Sequence, residues 1–297
     1  MFSRRHPYLF FILIFSAIGI SGIMGSILLI VSKSDRSDFG KGDKVGIIEI
    51  IGPIADSKAV LEDLKKFREA SSIKAIVVRI NSPGGGVGPS QEIYREIQKV
   101  IKEKIVVASM GAIAASGGYY IAAGSNKIVA NPGTITGSIG VIMGYTNLEK
   151  LFEKIGLTPV VIKSGEYKDI GSPARTMTSS EKAFLQRFTN LIHQQFVKAI
   201  AQGRNLDQTE VEKIADGRIL TGEEAKVLGL VDQIGNFEDA VELAGRLGGI
   251  KGRIITVYPH KKKYSILKYL AESSAKEIFK QMLNSSFFTA YLYSPAF

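Results

Sequence analysis

Cysteine is missing from the 297-residue sequence, and histidine occurs only three times. The first absence excludes disulfides, thiolate nucleophiles and cysteine-ligated zinc. The second leaves little for imidazole chemistry. His6 precedes an apolar N-terminal run, His260 stands beside a lysine run, and His193 lies inside a long amphipathic stretch. None is near a candidate nucleophile in sequence, although a Ser-His-Asp triad is recognised by geometry rather than order, so His193 stays a weak candidate. There is no H-E-x-x-H, no G-x-G-x-x-G and no glycine loop ending in G-K-[ST], so neither a metal nor a nucleotide cofactor is expected. Clustered positive charge is also scarce. Of the net +10, residues 1–43 hold +2 and residues 251–297 hold +6, which leaves +2 for everything between. A near-neutral middle argues against a nucleic-acid surface, which requires clustered cations.

What is present begins with 7–31, PYLFFILIFSAIGISGIMGSILLIV, which contains no charged residue. As a helix it would span roughly 37 Å at about 1.5 Å per residue, enough to cross a bilayer core with some tilt. No A-x-A-like site follows it, so it reads as an uncleaved anchor rather than a signal peptide. Arg4 and Arg5 precede it, which places residues 1–6 in the cytoplasm and the remainder outside the cell membrane. Residues 32–43 are polar and read as a linker.

From 44 to 258 strand-like and helix-like segments alternate. VGIIEI, IKAIVVRI, IVVASM, KIVA and TPVVIKS read as strands, and SKAVLEDLKKFREA, PSQEIYREIQKVIKEK, SSEKAFLQRFTNLIHQQFVKAIAQGR, TGEEAKVLG and NFEDAVELAGRLGG as helices. The alternation predicts an α/β domain with a mostly parallel sheet covered by helices. The tail, 259–297, is basic and carries apolar residues at helical spacing over Leu267, Leu270, Ile278 and Met282. It reads as an amphipathic helix that packs on its own domain or a partner subunit.

Three stretches could carry chemistry. GAIAASGGYYIAAGS sets a lone hydroxyl, Ser116, among small residues at the head of a helix-like run. INSPGGGVGPSQE places Gly84, Gly85 and Gly86 between a strand and a helix. Such a turn is ordinarily just tight, but its backbone N–H groups could form an oxyanion hole together with Gly117 at the second helix start. IKSGEYKDIGSPARTMTSSEK carries Lys168 in a loop. A loop lysine is ordinarily a solvated charge. To serve as a base it must lose about 3.4 pKa units, roughly 4–5 kcal/mol of desolvation and local electrostatics. Ser138 of GTITGSIGV offers a hydroxyl that could orient such an amine.

SPGGG, AASGGYYIA, TGSIGVI and SGEYKDIGSPAR, followed by MT and a glutamate, occur in that order. The set resembles the signal peptide peptidase A (protease IV) family, short single-unit form, over roughly 44–248. The resemblance implies a Clp protease/crotonase-like spiral of ββα units and peptide hydrolysis by a Ser/Lys dyad. It implies Ser116 as nucleophile, Lys168 as general base, Ser138 as the hydroxyl holding the lysine, and Gly84 with Gly117 as oxyanion donors, the choice among Gly84, Gly85 and Gly86 staying open. It also implies apolar signal-peptide remnants as substrates and a homo-oligomeric ring with Ser and Lys from neighbouring subunits. A crotonase-type acyl-CoA enzyme and a non-catalytic membrane scaffold of the same fold are the alternatives.

Overall fold

The structure, a computed structural model, describes residues 42–259 and the backbone of 288–292, with residues 8, 16 and 19–22 besides. The anchor expected over 7–31 and the tail helix expected over 267–282 therefore lie almost wholly outside the described residues. Among those described, no helix is long and apolar enough to cross a membrane.

The first half of the domain runs β1 (Lys44–Ile51), α1 (Lys58–Glu69), β2 (Ile73–Ser82), β3 (Gly84–Gly86), α2 (Val87–Val100), β4 (Ile105–Ala114), α3 (Gly117–Ala122) and β5 (Lys127–Ala130). It continues through β6 (Thr136–Gly137), β7 (Ile142–Gly144), α4 (Glu149–Lys154), a 3-10 turn (Glu166–Asp169), α5 (Ser179–Arg204) and α6 (Gln208–Ile214). The chain then forms β8 (Ile219–Leu220), α7 (Gly222–Val227), β9 (Gln233–Ile234), α8 (Phe237–Leu247), β10 (Ile255–Val257) and β11 (Phe288–Leu292). Six strands form one sheet in the order β10-β1-β2-β4-β5-β9, and every pairing in it is parallel.

The near-continuous apolar runs of β1, β2 and β4 follow from burial on both faces of the sheet. Val45, Ile47, Ala75, Val77 and Val107 pack with Val241 and Ala244 of α8. On the other face, a Cβ at Gly46 would come within 2.5 Å of the Phe67 ring of α1, so only glycine admits that helix so close. The strands end near one edge of the sheet, where β2 leads into the glycine strand and β4 into Ser116. Sites in open α/β sheets gather at such carboxyl ends.

One expected strand is not found. TPVVIKS forms no ladder among the described residues, and Val160 and Ile162 are 83% and 97% exposed. The β-propensity is there, but the described residues supply no neighbouring strand for it to pair with.

Candidate active site

Ser116 ends the β4 crossover and caps α3. Its backbone stands at φ 54°, ψ −117°, a region costly for a residue with a Cβ. Two backbone bonds hold it there: the Ser116 N–H donates to the Gly137 carbonyl at 2.8 Å, and its own carbonyl accepts from Tyr120 N at 2.8 Å. The residue is 1% exposed, and its Oγ has no hydrogen-bond partner among the described residues. A buried hydroxyl usually finds a partner, so an unpartnered one on a strained turn is a marker of function. The tyrosines that follow are structural. Tyr119 is fully buried and donates its hydroxyl to the Leu230 carbonyl at 2.9 Å, and burial raises its pKa.

Ser138 sits one residue beyond Gly137, and it too has a positive φ, 50°. Its N–H is tied to the Arg218 carbonyl at 2.7 Å. Among the described residues only Asn205 shares this property with the two serines, and Asn205 caps the end of α5 in the left-handed region, an ordinary place for Asn. The fold therefore brings Ser116 and Ser138 together through Gly137 and holds both under strain.

The glycine strand lies beside them. Ala115 N donates to the Ser82 carbonyl at 3.1 Å, and a Cβ at Gly118 would stand 3.0 Å from that same oxygen. The Gly84 N–H donates to Ser82 Oγ at 3.1 Å. On one side of β3, Ile54 N donates to Gly84 O at 2.9 Å and Gly86 N to Ile54 O at 2.8 Å. A strand residue directs its N–H and C=O to the same side and its neighbours' to the other, so Gly85 turns both groups away from Ile54 and toward β11. A Cβ at Gly85 would fall 2.3 Å from the Ile54 carbonyl; this closeness requires glycine. The Gly117 N–H, at the first helical position, has no partner within its own helix.

Lys168 is exposed on the 3-10 turn, and among the described contacts none joins it to Ser116. Its loop is nonetheless well fastened. Arg175 Nε donates to Asp169 Oδ2 at 2.8 Å, and its terminal nitrogens reach Glu181, Nη1 donating at 2.9 Å. Lys163 adds a bond to Asp169 at 2.7 Å. Glu181 is buried and closes a capping box with Thr178 at the start of α5. Tyr167 stacks on Phe184 of α5, ring centroids 5.1 Å apart. The sequence reading left Arg175, Asp169 and Glu181 without a role, although all three fall inside the quoted motif.

Hydrogen bonds from Arg175 hold the Asp169 carboxyl well below its usual range and bring that of Glu181 down to about 2. Depressed folded-state pKa values stabilise the clamp above the unfolded value and lose that contribution as pH falls. The loop should stay latched above pH 4.5, the ordinary Glu value, and loosen as pH falls toward 2. Hydrogen exchange of residues 163–181 across that window, each rate divided by the intrinsic rate at that pH, checks this, with lower protection expected at the acid end. Arg175→Gln should loosen the loop at neutral pH.

A serine under backbone strain at the carboxyl end of a parallel sheet, beside a glycine strand, is an arrangement suited to a nucleophile with backbone donors near it, on a Clp-like α/β fold. A Clp protease family model matches residues 17–134, and a Peptidase family S49 model matches 98–251. The chain belongs to peptidase family S49. It is 50% identical to "Putative protease slr0021" of Synechocystis over 70% of this chain and 75% of that one. It is 34% identical to "Putative protease MJ0651" of Methanocaldococcus jannaschii over 90% of this chain and 92% of that one. With "Putative signal peptide peptidase SppA" of Enterococcus faecium it shares 45% identity over 61% of this chain and 53% of that one. Membership of a peptidase family sets aside the crotonase-type reading: the chain is a protease.

Proposed function

We propose that the chain is a membrane-anchored serine endopeptidase with a Ser116/Lys168 dyad, which degrades signal-peptide remnants as a homo-oligomeric ring. The observation that carries the nucleophile is the buried, unpartnered Oγ of Ser116 on its strained turn. Lys168, neutral, takes the Ser116 proton as Oγ attacks a peptide carbonyl carbon. The tetrahedral oxyanion is stabilised by the Gly117 N–H and one amide of the glycine strand. The Gly84 N–H is engaged by Ser82 Oγ and Gly85 faces Tyr291 of β11, so either amide must be released to take the second place. Lys168 then protonates the leaving amine, the peptide C–N bond breaks, and a water deprotonated by the now neutral Lys168 amine hydrolyses the ester, its second proton returning through Lys168 to Ser116 Oγ. Ser138 holds the lysine from beside Ser116.

The partner subunit enters because Lys168 is exposed in one chain while Ser116 Oγ has no base among the described residues. α4 and the segment that runs from it toward the Lys168 turn expose Leu151, Ile155, Leu157, Val160 and Ile162, apolar side chains that a neighbouring subunit would cover. A neighbour seated there would desolvate the lysine, as its neutral form requires. The anchor expected over 7–31 would hold the site near apolar peptides released in the membrane. One relative, that of Enterococcus faecium, is named a signal peptide peptidase.

The test is hydrolysis by the full chain in detergent of a quenched peptide with a Leu/Ala core, beside a polar peptide of equal length. Cleavage that disappears in Ser116→Ala and prefers the apolar core is expected. Equal or better cleavage of the polar peptide would remove the signal-peptide assignment.

A further inference from the structure

Charge is unevenly placed on the domain. Residues 42–259 hold 27 Lys/Arg against 24 Asp/Glu. The segments that lead into the six parallel strands hold twelve against five, each counted from the last helical turn (residue 42 for β1) to the second strand residue. The rest of the domain is therefore net negative, and the positive excess gathers at the amino edge of the sheet, opposite the edge that bears Ser116. With strands about 4.8 Å apart, that row is about 24 Å long. Part of it is taken up within the fold. Lys104 donates to the carbonyls of Phe67 and Ala70 at 2.7 and 2.6 Å, Lys127 pairs with Asp232 at 3.0 Å, and Lys74 with Asp43 at 3.5 Å. Lys102, Arg246, Lys251 and Arg253 are exposed and form no ion pair among the described residues. Leu247 and Ile255, 42% and 48% exposed, stand among the last three. The chain also enters the domain at this edge, where Lys44 opens β1. The polar residues 32–43 before it reach at most about 40 Å.

We propose that this edge is a docking surface for an anionic bilayer, with Lys102, Arg246, Lys251 and Arg253 meeting lipid phosphates and Leu247 and Ile255 the headgroup boundary. Exposed apolar side chains between cations suit a headgroup layer, whereas a nucleic acid offers phosphate without an apolar boundary. The proposal rests on the anchored reading for its tether and adds the orientation of the domain. The carboxyl edge, with Ser116, then faces away from the lipid, so a peptide is cut only after it leaves the bilayer. Each cation held near an anionic leaflet strengthens binding about fivefold, and salt screens the attraction.

Because the chain lacks cysteine, a single label can be placed at either edge: Ser71→Cys, exposed in the turn between α1 and β2, or Ala55→Cys, exposed after β1. Each full chain, carrying bimane, is reconstituted into vesicles of phosphatidylcholine with or without about one quarter phosphatidylglycerol, and quenching by headgroup nitroxides is read. With phosphatidylglycerol the label at 71 should be quenched at least about twofold more than the label at 55, and the contrast should vanish in about 1 M salt. Arg246→Gln/Lys251→Gln/Arg253→Gln should lower the docked-to-free ratio by on the order of 10² and leave the thermal midpoint unchanged. Equal quenching at the two positions, a contrast indifferent to phosphatidylglycerol, or one that survives salt or the triple substitution would overturn the proposal. So would a DNA duplex that the chain binds when vesicles leave both labels unquenched. The anchor is read separately, by retention on phosphatidylcholine vesicles through the salt wash. A chain washed off them that still shows the contrast with phosphatidylglycerol at low salt would sink the anchored reading and leave docking standing. A retained chain without the contrast would do the reverse.

Discussion

Ser116→Ala is expected to lower kcat on peptide substrates by on the order of 10⁴–10⁶, the scale on which serine peptidases lose turnover without their nucleophile. Methyl in place of hydroxymethyl adds no volume to a site that is 1% exposed, so the loss should come without loss of folding. Lys168→Arg should be nearly as damaging. A guanidinium keeps its proton throughout the accessible pH range and cannot accept the one that Ser116 must lose. Because Lys168 is exposed and touches no buried group in the single chain, this substitution should leave the thermal midpoint unchanged. Steady-state hydrolysis beside a melting curve checks both variants. Turnover by Lys168→Arg within tenfold of wild type would remove lysine from the role of base.

Mixing the two inactive variants should bring activity back. If each site takes Ser116 from one subunit and Lys168 from its neighbour, head-to-tail closure of a ring makes every interface equivalent. Random co-assembly of Ser116→Ala with Lys168→Ala then pairs an intact serine with an intact lysine at about a quarter of the interfaces, so about a quarter of wild-type activity is expected. A dyad completed within one chain would give none. The first result is expected because, among the described residues, no base stands beside the buried Oγ and Lys168 is exposed. The measurement is hydrolysis after the variants are dissociated together and reassembled, with each variant alone as the blank.

The parallel α/β core was legible because its signals are local. The apolar strand runs and amphipathic helices fall where alternation placed them, and α5 spans the segment read as a helix, Ser179–Arg204, opened by a Thr–Glu capping box. Ser116 was legible as an isolated hydroxyl among alanines and glycines. What escaped depends on partners distant in sequence. TPVVIKS has the composition of a strand but no neighbour in the described chain. The FTAYL strand pairs with glycines some two hundred residues earlier, and glycine carries no side-chain pattern to announce a ladder. Arg175, Asp169 and Glu181 read as solvated loop charges until the fold brought them into one clamp. The strain at Ser116 and Ser138 is likewise a backbone property, invisible in residue types.

The most direct test of the account is the mapping of a serine-directed acylating probe on the assembled wild-type chain. The predicted result is one adduct per chain, located by mass spectrometry on Ser116 and abolished by Lys168→Ala. Hydrolysis that persists with no adduct on Ser116, or an adduct that forms equally fast without Lys168, would contradict it.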